Sequence, residues 1–319
     1  MLKQLASRNW LMLTLGLAVM ALIMLPPVLP DFVVVVLTQS LILAIVAMSL
    51  DLLIGYTDLG ALGHGAFFAI GGYTTAILAT RYATGFGLNL LASIGMAAGA
   101  SALLSVLALR TAGIYFLLIT LAIAMSVWGL IYRWGSLTGG ENGIAGVPRP
   151  DLGIGLNMSN HICFYYFILT AFLICLALIL LLVRSPFGRT LVGIRESELR
   201  MKVLGYNVWL HKYLVLIIAG AFAGVGGCLY SYYNNFVGPD EAGLGQCMEF
   251  VLMVCIGGPG TLFGGVIGSF AITFAKHWVS IYTARWLMVL ALIYILTAKY
   301  APGGLIGLLK QSPKWRELI

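Results

Sequence analysis

The chain has 319 residues, of which 61% are hydrophobic and only 9% are charged, and its formal net charge is +7. Soluble globular domains carry about 25% charged residues, whereas one membrane-spanning helix needs about 20 apolar residues. The composition therefore excludes an ordinary soluble domain. It predicts a single transmembrane domain over residues 1–319, an all-α polytopic helical bundle, because the apolar runs are longer than the alternating strands of about 10 residues in a membrane barrel.

The excess of positive charge does not indicate a nucleic-acid partner. Lys and Arg lie mainly in the loops and tails between the apolar runs, which is the positive-inside distribution of membrane proteins. This pattern predicts membrane lipid, and not nucleic acid, as a partner of the chain. The five cysteines form no CxxC pair, so we interpret them as buried or lipid-facing thiols.

We predict about ten transmembrane segments with both termini in the cytoplasm. Lys3 and Arg8 place the N-terminus inside, six crossings return the chain to the cytoplasm at Arg184, and an even number of further crossings leaves a basic tail inside. The stretch 248–284 is predicted as either two spans or a re-entrant pair, because a Gly-Gly-Pro-Gly turn interrupts it. The segments cover roughly residues 10–29, 32–54, 59–80, 90–109, 113–132, 161–183, 213–236, 248–262, 264–284 and 286–301.

Residues 184–212 form the longest charged interruption in the chain. The pattern predicts one amphipathic helix over 190–204, with Ile194, Met201 and Leu204 on its apolar face and Gly205 as its stop. Such a helix is either a solvated loop helix at the membrane surface or a lever that a cytoplasmic motor protein grips.

Two ion pairs are expected to support this helix. Glu196–Arg200 and Glu198–Lys202 are spaced i,i+4 with the acidic residue first, which is the favourable order. Each pair contributes only about 0.2–0.5 kcal/mol to an isolated helix, so they assist the helix and do not create it.

No catalytic or nucleotide-binding motif is present in the sequence. It lacks a phosphate-binding loop, an HExxH pair and a GxSxG turn, so no cofactor and no metal site are expected in this chain. An ion-coupled secondary carrier would need acidic groups deep in the bilayer. Asp51 lies near the cytoplasmic end of its predicted segment and Glu249 near the outer end of its own, which disfavours that carrier but leaves it open. A membrane-embedded enzyme is disfavoured for lack of an acid–base or metal cluster.

Several short motifs follow one another in the order of a known family. Together they resemble the branched-chain amino-acid permeases of the LivM type, the membrane subunits of ABC importers for hydrophobic amino acids, from about residue 40 to residue 308. The motifs are Gly55-Tyr56, Leu62-Gly63-His64, Ala66 to Tyr73, Gly113 to Phe116, Thr120 to Ala122, Thr138-Gly139-Gly140, Ser185 to Arg189, Ile194 to Glu198, Leu204-Gly205, Gly257 to Thr261 and Pro302 to Leu305.

The resemblance implies a set of partners and a location. Two cytoplasmic ATPase subunits would bind ATP and Mg²⁺, a related permease subunit (a paralogue or a second copy) would share the pathway, and a periplasmic binding protein would deliver the substrate. The expected location is a bacterial inner membrane, as a multi-pass protein.

The resemblance also implies roles for two sets of residues. Coupling to the ATPases is expected of Arg189, Ile194, Arg195, Glu196, Glu198, Met201 and Gly205. The substrate pathway is expected near Tyr56, Thr57, His64, Phe67, Tyr73, Thr138, Gly139 and Gly140.

The sequence departs from the family pattern at a few positions. Arg200 and Met201 replace alanines, which could tune the choice of ATPase partner. Asp58 stands where the family has glycine, and Ala61 where it has serine. Asp58 is either a solvated residue at a turn or a carboxylate near the pathway. In the second case a permease for urea or short amides of the same superfamily remains an alternative.

Overall fold

The computed structural model describes residues 29–150 and 158–283 without a break, together with isolated positions within 20–27 and 285–307. The described part consists of packed helices and one short antiparallel strand pair, Ile144–Ala145 (β1) with Phe236–Val237 (β2). The long helices are α1 (Asp31–Thr57), α2 (His64–Arg81), α3 (Phe86–Ala108), α4 (Ile114–Arg133), α6 (His161–Arg184), α9 (Val208–Asn234), α10 (Leu244–Gly257) and α11 (Leu262–Tyr282). The shorter elements are α5 (Gly135–Thr138), a 3₁₀ turn at Gly140–Asn142, α7 (Pro186–Glu196), α8 (Glu198–Val203) and a 3₁₀ turn at Pro239–Ala242.

The prediction of about ten spans is not confirmed. Among the described residues, six helices are long and apolar enough to cross a membrane, namely α1, α3, α4, α6, α9 and α11. Helix α10 has 14 residues, or about 21 Å, which falls short of a hydrocarbon core of about 30 Å. The predicted segments 10–29 and 286–301 lie outside the described residues, apart from isolated positions.

Helix α1 is the centre of the bundle. It is apolar on all sides, and 89% of its most apolar window is buried, as expected for a helix surrounded by other helices. Helices α6, α9, α10 and α11 pack around it. Helices α3, α4 and α6 bury far less of their length and present apolar side chains outward, which suits contact with lipid.

Glycines allow the helices at the centre to approach closely. A Cβ added at Gly71 of α2 would lie 2.6 Å from the Cα of Gly224 on α9, and one at Gly227 would lie 2.8 Å from the Gly72 nitrogen. Lipid provides no hydrophobic force between spans, so close backbone packing replaces it. Hydroxyl groups add cross-links, as where Ser101 of α3 donates to the Leu216 carbonyl of α9 over 2.7 Å.

Two helices begin inside the bundle and not at its surface. Residues 58–63 fold back beside α1, so that His64 at the start of α2 lies 2.9 Å from the Ser49 hydroxyl, about 12 Å short of the end of α1. At this level, a Cβ on Gly65 would lie 2.6 Å from the Cys247 sulfur. Helix α10 therefore also starts at mid-depth. Interrupted helices that begin near the middle of the bundle are typical of membrane transporters.

We expect Gly71→Ala to lower the stability of the bundle, because the new methyl group would overlap the backbone of Gly224. Overpacking of this kind costs about 1–3 kcal/mol. The matched control is Gly129→Ala in α4, where an added Cβ meets no atom within 4 Å. Thermal unfolding of the purified chains in detergent should show a lower transition temperature for Gly71→Ala and an unchanged or higher one for Gly129→Ala. Equal transition temperatures would contradict the close packing of α2 and α9.

Candidate functional site

The basic segment is folded tightly onto the end of α6. Ser185 alone separates α6 from α7, and its hydroxyl accepts a hydrogen bond from the Gly188 N–H at 3.3 Å. Pro186 occupies the first position of α7, where its missing N–H costs nothing. Gly188 packs against the Leu182 carbonyl, where an added Cβ would lie at 2.6 Å. Helix α7 thus leaves α6 through a short and constrained corner.

The predicted single helix over 190–204 is wrong, because the segment is broken at Ser197. This residue has extended backbone angles, and its hydroxyl accepts from the Arg200 N–H at 3.3 Å, so it ends α7 and caps α8. Serine is a preferred N-cap residue, and because an N-cap residue has non-helical backbone angles, the first helix ends here and a second one begins. Ile194 and Met201 are buried as predicted and pack with Val208, whereas Leu204 is 63% exposed.

The end of the predicted helix is confirmed. Gly205 has a φ of 86° and directly follows Leu204, the residue that caps α8. Its N–H donates to the Lys202 carbonyl at 3.0 Å, and Tyr206 donates to the Met201 carbonyl at 3.1 Å. A left-handed glycine after the last turn is a common helix stop, so this residue type was a sound signal.

Of the two predicted ion pairs, only Glu198–Lys202 is present among the described residues, at 2.9 Å. The Glu196–Arg200 pair is wrong, because the break at Ser197 places its two residues on different helices. Glu198 makes a second ion pair, with Lys212 of α9 at 2.7 Å. Hydrogen bonds from Lys212 and then Lys202 lower the pKa of the Glu198 carboxyl below its usual 4.5. This carboxylate therefore ties α8 to α9.

Arg195 connects α7 to the end of α1. Its guanidinium donates to the carbonyl oxygen of Gly55, 140 residues earlier in the chain. Next to it, the Gly260 N–H donates to a carboxylate oxygen of Asp51 at 2.8 Å. Asp51 is completely buried, and its second oxygen has no hydrogen-bond partner among the described residues. We call Asp51, Gly55, Arg195 and Gly260 the joint.

Glycines make the joint possible. Gly260 has a φ of 81°, and an added Cβ there would lie 2.6 Å from the Arg195 guanidinium. Gly304 has a φ of 65° and packs on the same turn, since its Cβ would lie 2.5 Å from the Gly258 Cα. Four motifs that are far apart in the sequence therefore meet at one end of the bundle. We call this end of the bundle the basic end, because it carries the basic segment 184–212. No role at this end of the bundle was predicted from the sequence for Asp51 or Gly260, although an isolated aspartate at the end of an apolar segment could have indicated a specific contact.

An apolar patch covers the outer side of α8. Leu199 is 74% exposed, Val203 is 81% exposed and Leu204 is 63% exposed, and all three belong to α8 or directly follow it. We call these three residues the α8 patch. Of the predicted coupling residues, Arg189, Arg195 and Glu196 are exposed beside it on α7. Exposed aliphatic groups grouped in this way mark a surface that contacts another protein or the membrane.

The predicted pathway residues are distributed over three places. Tyr56 and Thr57 lie at the basic end of α1, His64 and Phe67 lie at mid-depth on α2, and Tyr73 lies one to two turns further along α2. Thr138 is buried at the opposite end, where its hydroxyl donates to the Ile131 carbonyl at 2.6 Å. Gly139 and Gly140 follow it with φ values of 78° and 59°. The structure does not bring these residues into one site.

His64 and Phe67 line a small cavity of about 20 Å³ between α1, α2, α3, α4 and α9. This volume holds about one water molecule and cannot hold an amino acid. The Nδ1 atom of His64 has no hydrogen-bond partner among the described residues, and its side chain is 1% exposed. Thr120 also lines the cavity, and its hydroxyl accepts from the Leu62 N–H at 3.1 Å.

Asp58 is an exposed residue at the end of α1. Its φ is 56°, and its N–H donates to the Leu53 carbonyl, as a left-handed helix cap does. This backbone conformation explains why glycine is the expected residue here and why aspartate, which tolerates it better than most, can replace it. The interpretation as a solvated turn residue agrees with this position.

Glu249 of α10 is paired with Lys276 of α11, with a shortest separation of 2.9 Å. Beside them, His277 lies 2.7 Å from the Gln39 side chain of α1. Charged groups within membrane spans are expensive unless they are paired. The Glu249–Lys276 ion pair links α10 to α11 and neutralises the carboxylate that a proton or sodium relay would need.

Comparisons with known proteins agree with this architecture. The sequence profile of the family described as "Branched-chain amino acid transport system / permease component" matches residues 32–298. The chain is 28% identical over 300 residues to the high-affinity branched-chain amino acid transport system permease protein LivM of Escherichia coli K12, covering 87% of this chain and 70% of that protein.

Two further relatives carry the same description. The Salmonella typhimurium LivM is 27% identical over 300 residues, with 87% of this chain and 70% of that protein covered. The probable LivM of Methanocaldococcus jannaschii is 27% identical over 314 residues, covering 82% of this chain and 89% of that protein. No solved structure matches the chain at a comparable level.

The six apolar spans and the interrupted helices describe a multi-pass transport subunit, and the profile match extends over most of the chain. The chain belongs to the family of permease components of branched-chain amino-acid transport systems.

Proposed function

We propose that this chain forms part of the translocation pathway of an ATP-driven importer for branched-chain and other hydrophobic amino acids in a bacterial inner membrane. In this proposal the basic end faces the cytoplasm. Two ATPase subunits dock on α7 and α8 there, and ATP and Mg²⁺ bind in those subunits. A related permease completes the pathway, and a periplasmic protein delivers the substrate from the other side.

The observation that carries the proposal is the combination, on one short segment, of an exposed apolar patch with a direct hydrogen bond to the central helix. The α8 patch offers apolar side chains to a partner, while Arg195 on the adjacent α7 bonds directly to the backbone of the central helix α1. A solvated surface helix would need neither feature. A lever needs both, because force applied at the patch has to reach the spans without being lost in a flexible loop.

The force path follows from the contacts. A displacement of α7 and α8 reaches α1 through Arg195 and Gly55, and reaches α9 through Glu198 and Lys212. The hydrogen bond from the Gly260 N–H to Asp51 extends this displacement from α1 to the turn between α10 and α11. Closure of the ATPases would thus move the inner ends of several spans together and switch the pathway from outward-facing to inward-facing.

The docking surface is tested with Leu199→Asp combined with Val203→Asp. These changes place charge on the α8 patch and should weaken ATPase binding by roughly tenfold or more, as loss of an apolar hot spot does. Retention of the ATPase subunits by a tagged chain is the measurement. The control is Ala112→Asp, which adds a carboxylate to the exposed α3–α4 loop. Undiminished retention by the double variant would contradict docking on α8. If the unchanged chain retains no ATPase and its uptake collapses with an uncoupler at constant ATP, it is a secondary carrier.

The joint is tested with Arg195→Ala. This change removes the hydrogen bond to Gly55 but leaves the α8 patch intact, so the ATPases should still dock and hydrolyse ATP while ATP-driven uptake falls by about tenfold or more, as expected for loss of a charge-assisted hydrogen bond. Arg184→Ala is the control, because the side chain of this exposed arginine makes no hydrogen bond to the described residues. A parallel loss of docking and uptake in Arg195→Ala would show that the residue serves binding and not transmission.

The pH dependence follows from Glu198. Because its folded pKa is lowered by Lys212 and Lys202, its ion pairs stabilise the protein above pH 4.5, and that contribution is lost as the pH falls through the lower folded pKa. The transition temperature of Glu198→Gln should therefore lie below that of the unchanged chain at pH 7, and the difference should shrink as the pH is brought below 4.5. A difference that grows on acidification would contradict the assignment.

A further inference from the structure

The start of α10 exposes polar backbone at the middle of the bundle. No side chain caps this helix, and no described residue accepts hydrogen bonds from the N–H groups of Leu244, Gly245 and Gln246. Leu244 and Gly245 are exposed, and an added Cβ on Gly245 meets no atom within 4 Å. The free N–H groups of a helix start carry partial positive charge.

The depth of this helix start is fixed by its neighbours. The sulfur of Cys247 lies against Gly65, one residue after His64, whose ring contacts Ser49 of α1. From Cys247, α10 continues for about 15 Å to the turn at residues 257–260, which reaches the inner end of α1. The α10 start therefore lies about 20 Å from the inner end of α1, a distance shorter than the thickness of a hydrocarbon core, which is about 30 Å.

A negative charge lies beside it. Asp240 is exposed in the 3₁₀ turn just before α10, and its carbonyl accepts from the Gly243 N–H at 2.9 Å. The hydroxyl of Tyr73 is buried, has no hydrogen-bond partner, and lies within electrostatic range of the Glu241 and Asp240 carboxylates. The Tyr73 hydroxyl is therefore an unsatisfied buried polar group near the turn that precedes α10, and such a group indicates a place where a polar ligand completes the contacts.

Lipid cannot be what covers this surface. Backbone groups without partners and an exposed carboxylate are not tolerated against hydrocarbon, and irregular backbone at this depth is found only where it is buried in protein or lines a water-filled cavity. Helix starts of interrupted helices near the midplane bind anionic groups of substrates in transporters. An α-amino acid carries a carboxylate and an ammonium group side by side, which matches the free N–H groups and the Asp240 carboxylate.

Building on the proposed function, we propose that residues 240–246 form a wall of the translocation pathway that recognises a zwitterionic α-amino acid. The N–H groups of Gly245 and Gln246 hold the substrate carboxylate, and Asp240 holds its ammonium group. Gly245 leaves the backbone open to close approach by the ligand, because an added Cβ there meets no atom within 4 Å. Urea and short amides lack both charges and would gain nothing from this arrangement.

The test uses the assembled transporter with the five native cysteines replaced, and compares Gly245→Cys with Gly99→Cys. Gly99 is an exposed glycine of α3 with equal room for a side chain. A membrane-impermeant methanethiosulfonate should react with Cys at 245 about tenfold faster or more than at 99, in right-side-out or inside-out vesicles with or without MgATP, because the thiolate reacts in water. Leucine should slow the reaction at 245. Equal and slow reaction at both positions in every condition would overturn the assignment to the pathway.

A second measurement separates recognition from accessibility. Asp240→Asn should raise the KM for radiolabelled leucine by about tenfold, the scale of one charge-assisted hydrogen bond, with Asp58→Asn as the exposed-carboxylate control. An unchanged KM for Asp240→Asn would overturn the role in binding the ammonium group. If uptake does not depend on ATP but Cys at 245 still reacts and is protected by leucine, the proposed energy source fails while this inference stands. If uptake is driven by ATP but Cys at position 245 does not react, this inference is contradicted while the proposed function stands.

Discussion

The hydrogen bond from Arg195 to the backbone of Gly55 is the contact on which the proposed coupling between the surface segment and the spans depends. Arg195 belongs to a short surface helix, and Gly55 belongs to the helix around which the spans pack. This contact requires the absence of side chains at Gly55 and Gly260, since an added Cβ at Gly260 would meet the guanidinium. One hydrogen bond and two glycines therefore make this connection to α1, and the Glu198–Lys212 ion pair makes a second one to α9.

The same reasoning explains why glycine is so frequent in this chain. The approach of α2 to α9 needs Gly71 and Gly227, and the turn that holds α10 against α11 needs Gly257 packed on Gly264. In a bilayer the spans gain little from hydrophobic burial against each other, so packing and hydrogen bonds between backbones have to hold them together.

Part of this architecture follows from the sequence. The all-α membrane class, the stop at Gly205 and the Glu198–Lys202 pair depend on composition and on residues at most four positions apart, and such local patterns are visible in one chain. The break at Ser197 could not be distinguished from helix continuation, because serine is accepted in a helix as well as at its start. The joint could not be predicted, because Asp51 and Gly260 are 209 residues apart and nothing in the sequence pairs them.

The depth at which α2 and α10 begin could not be predicted from the sequence either. The run 59–80 contains no Asp, Glu, Lys or Arg, so it indicates a span and gives little sign of the irregular stretch 58–63, where Leu59, Ala61 and Leu62 are buried without being helical. The glycines at 60 and 63 were the only local sign of an interruption. The substrate contact proposed for residues 240–246 depends on this depth, because the same helix start at the membrane surface would simply be hydrated.

The sidedness of the basic end tests the central claim most directly. A chain with its five native cysteines replaced and Val203→Cys introduced, produced without partner subunits, carries one reactive group on the α8 patch. The account predicts that an impermeant maleimide labels this cysteine in inside-out vesicles and not in intact cells. Labelling in intact cells would place α8 outside, where no ATPase could reach it, and would contradict the account.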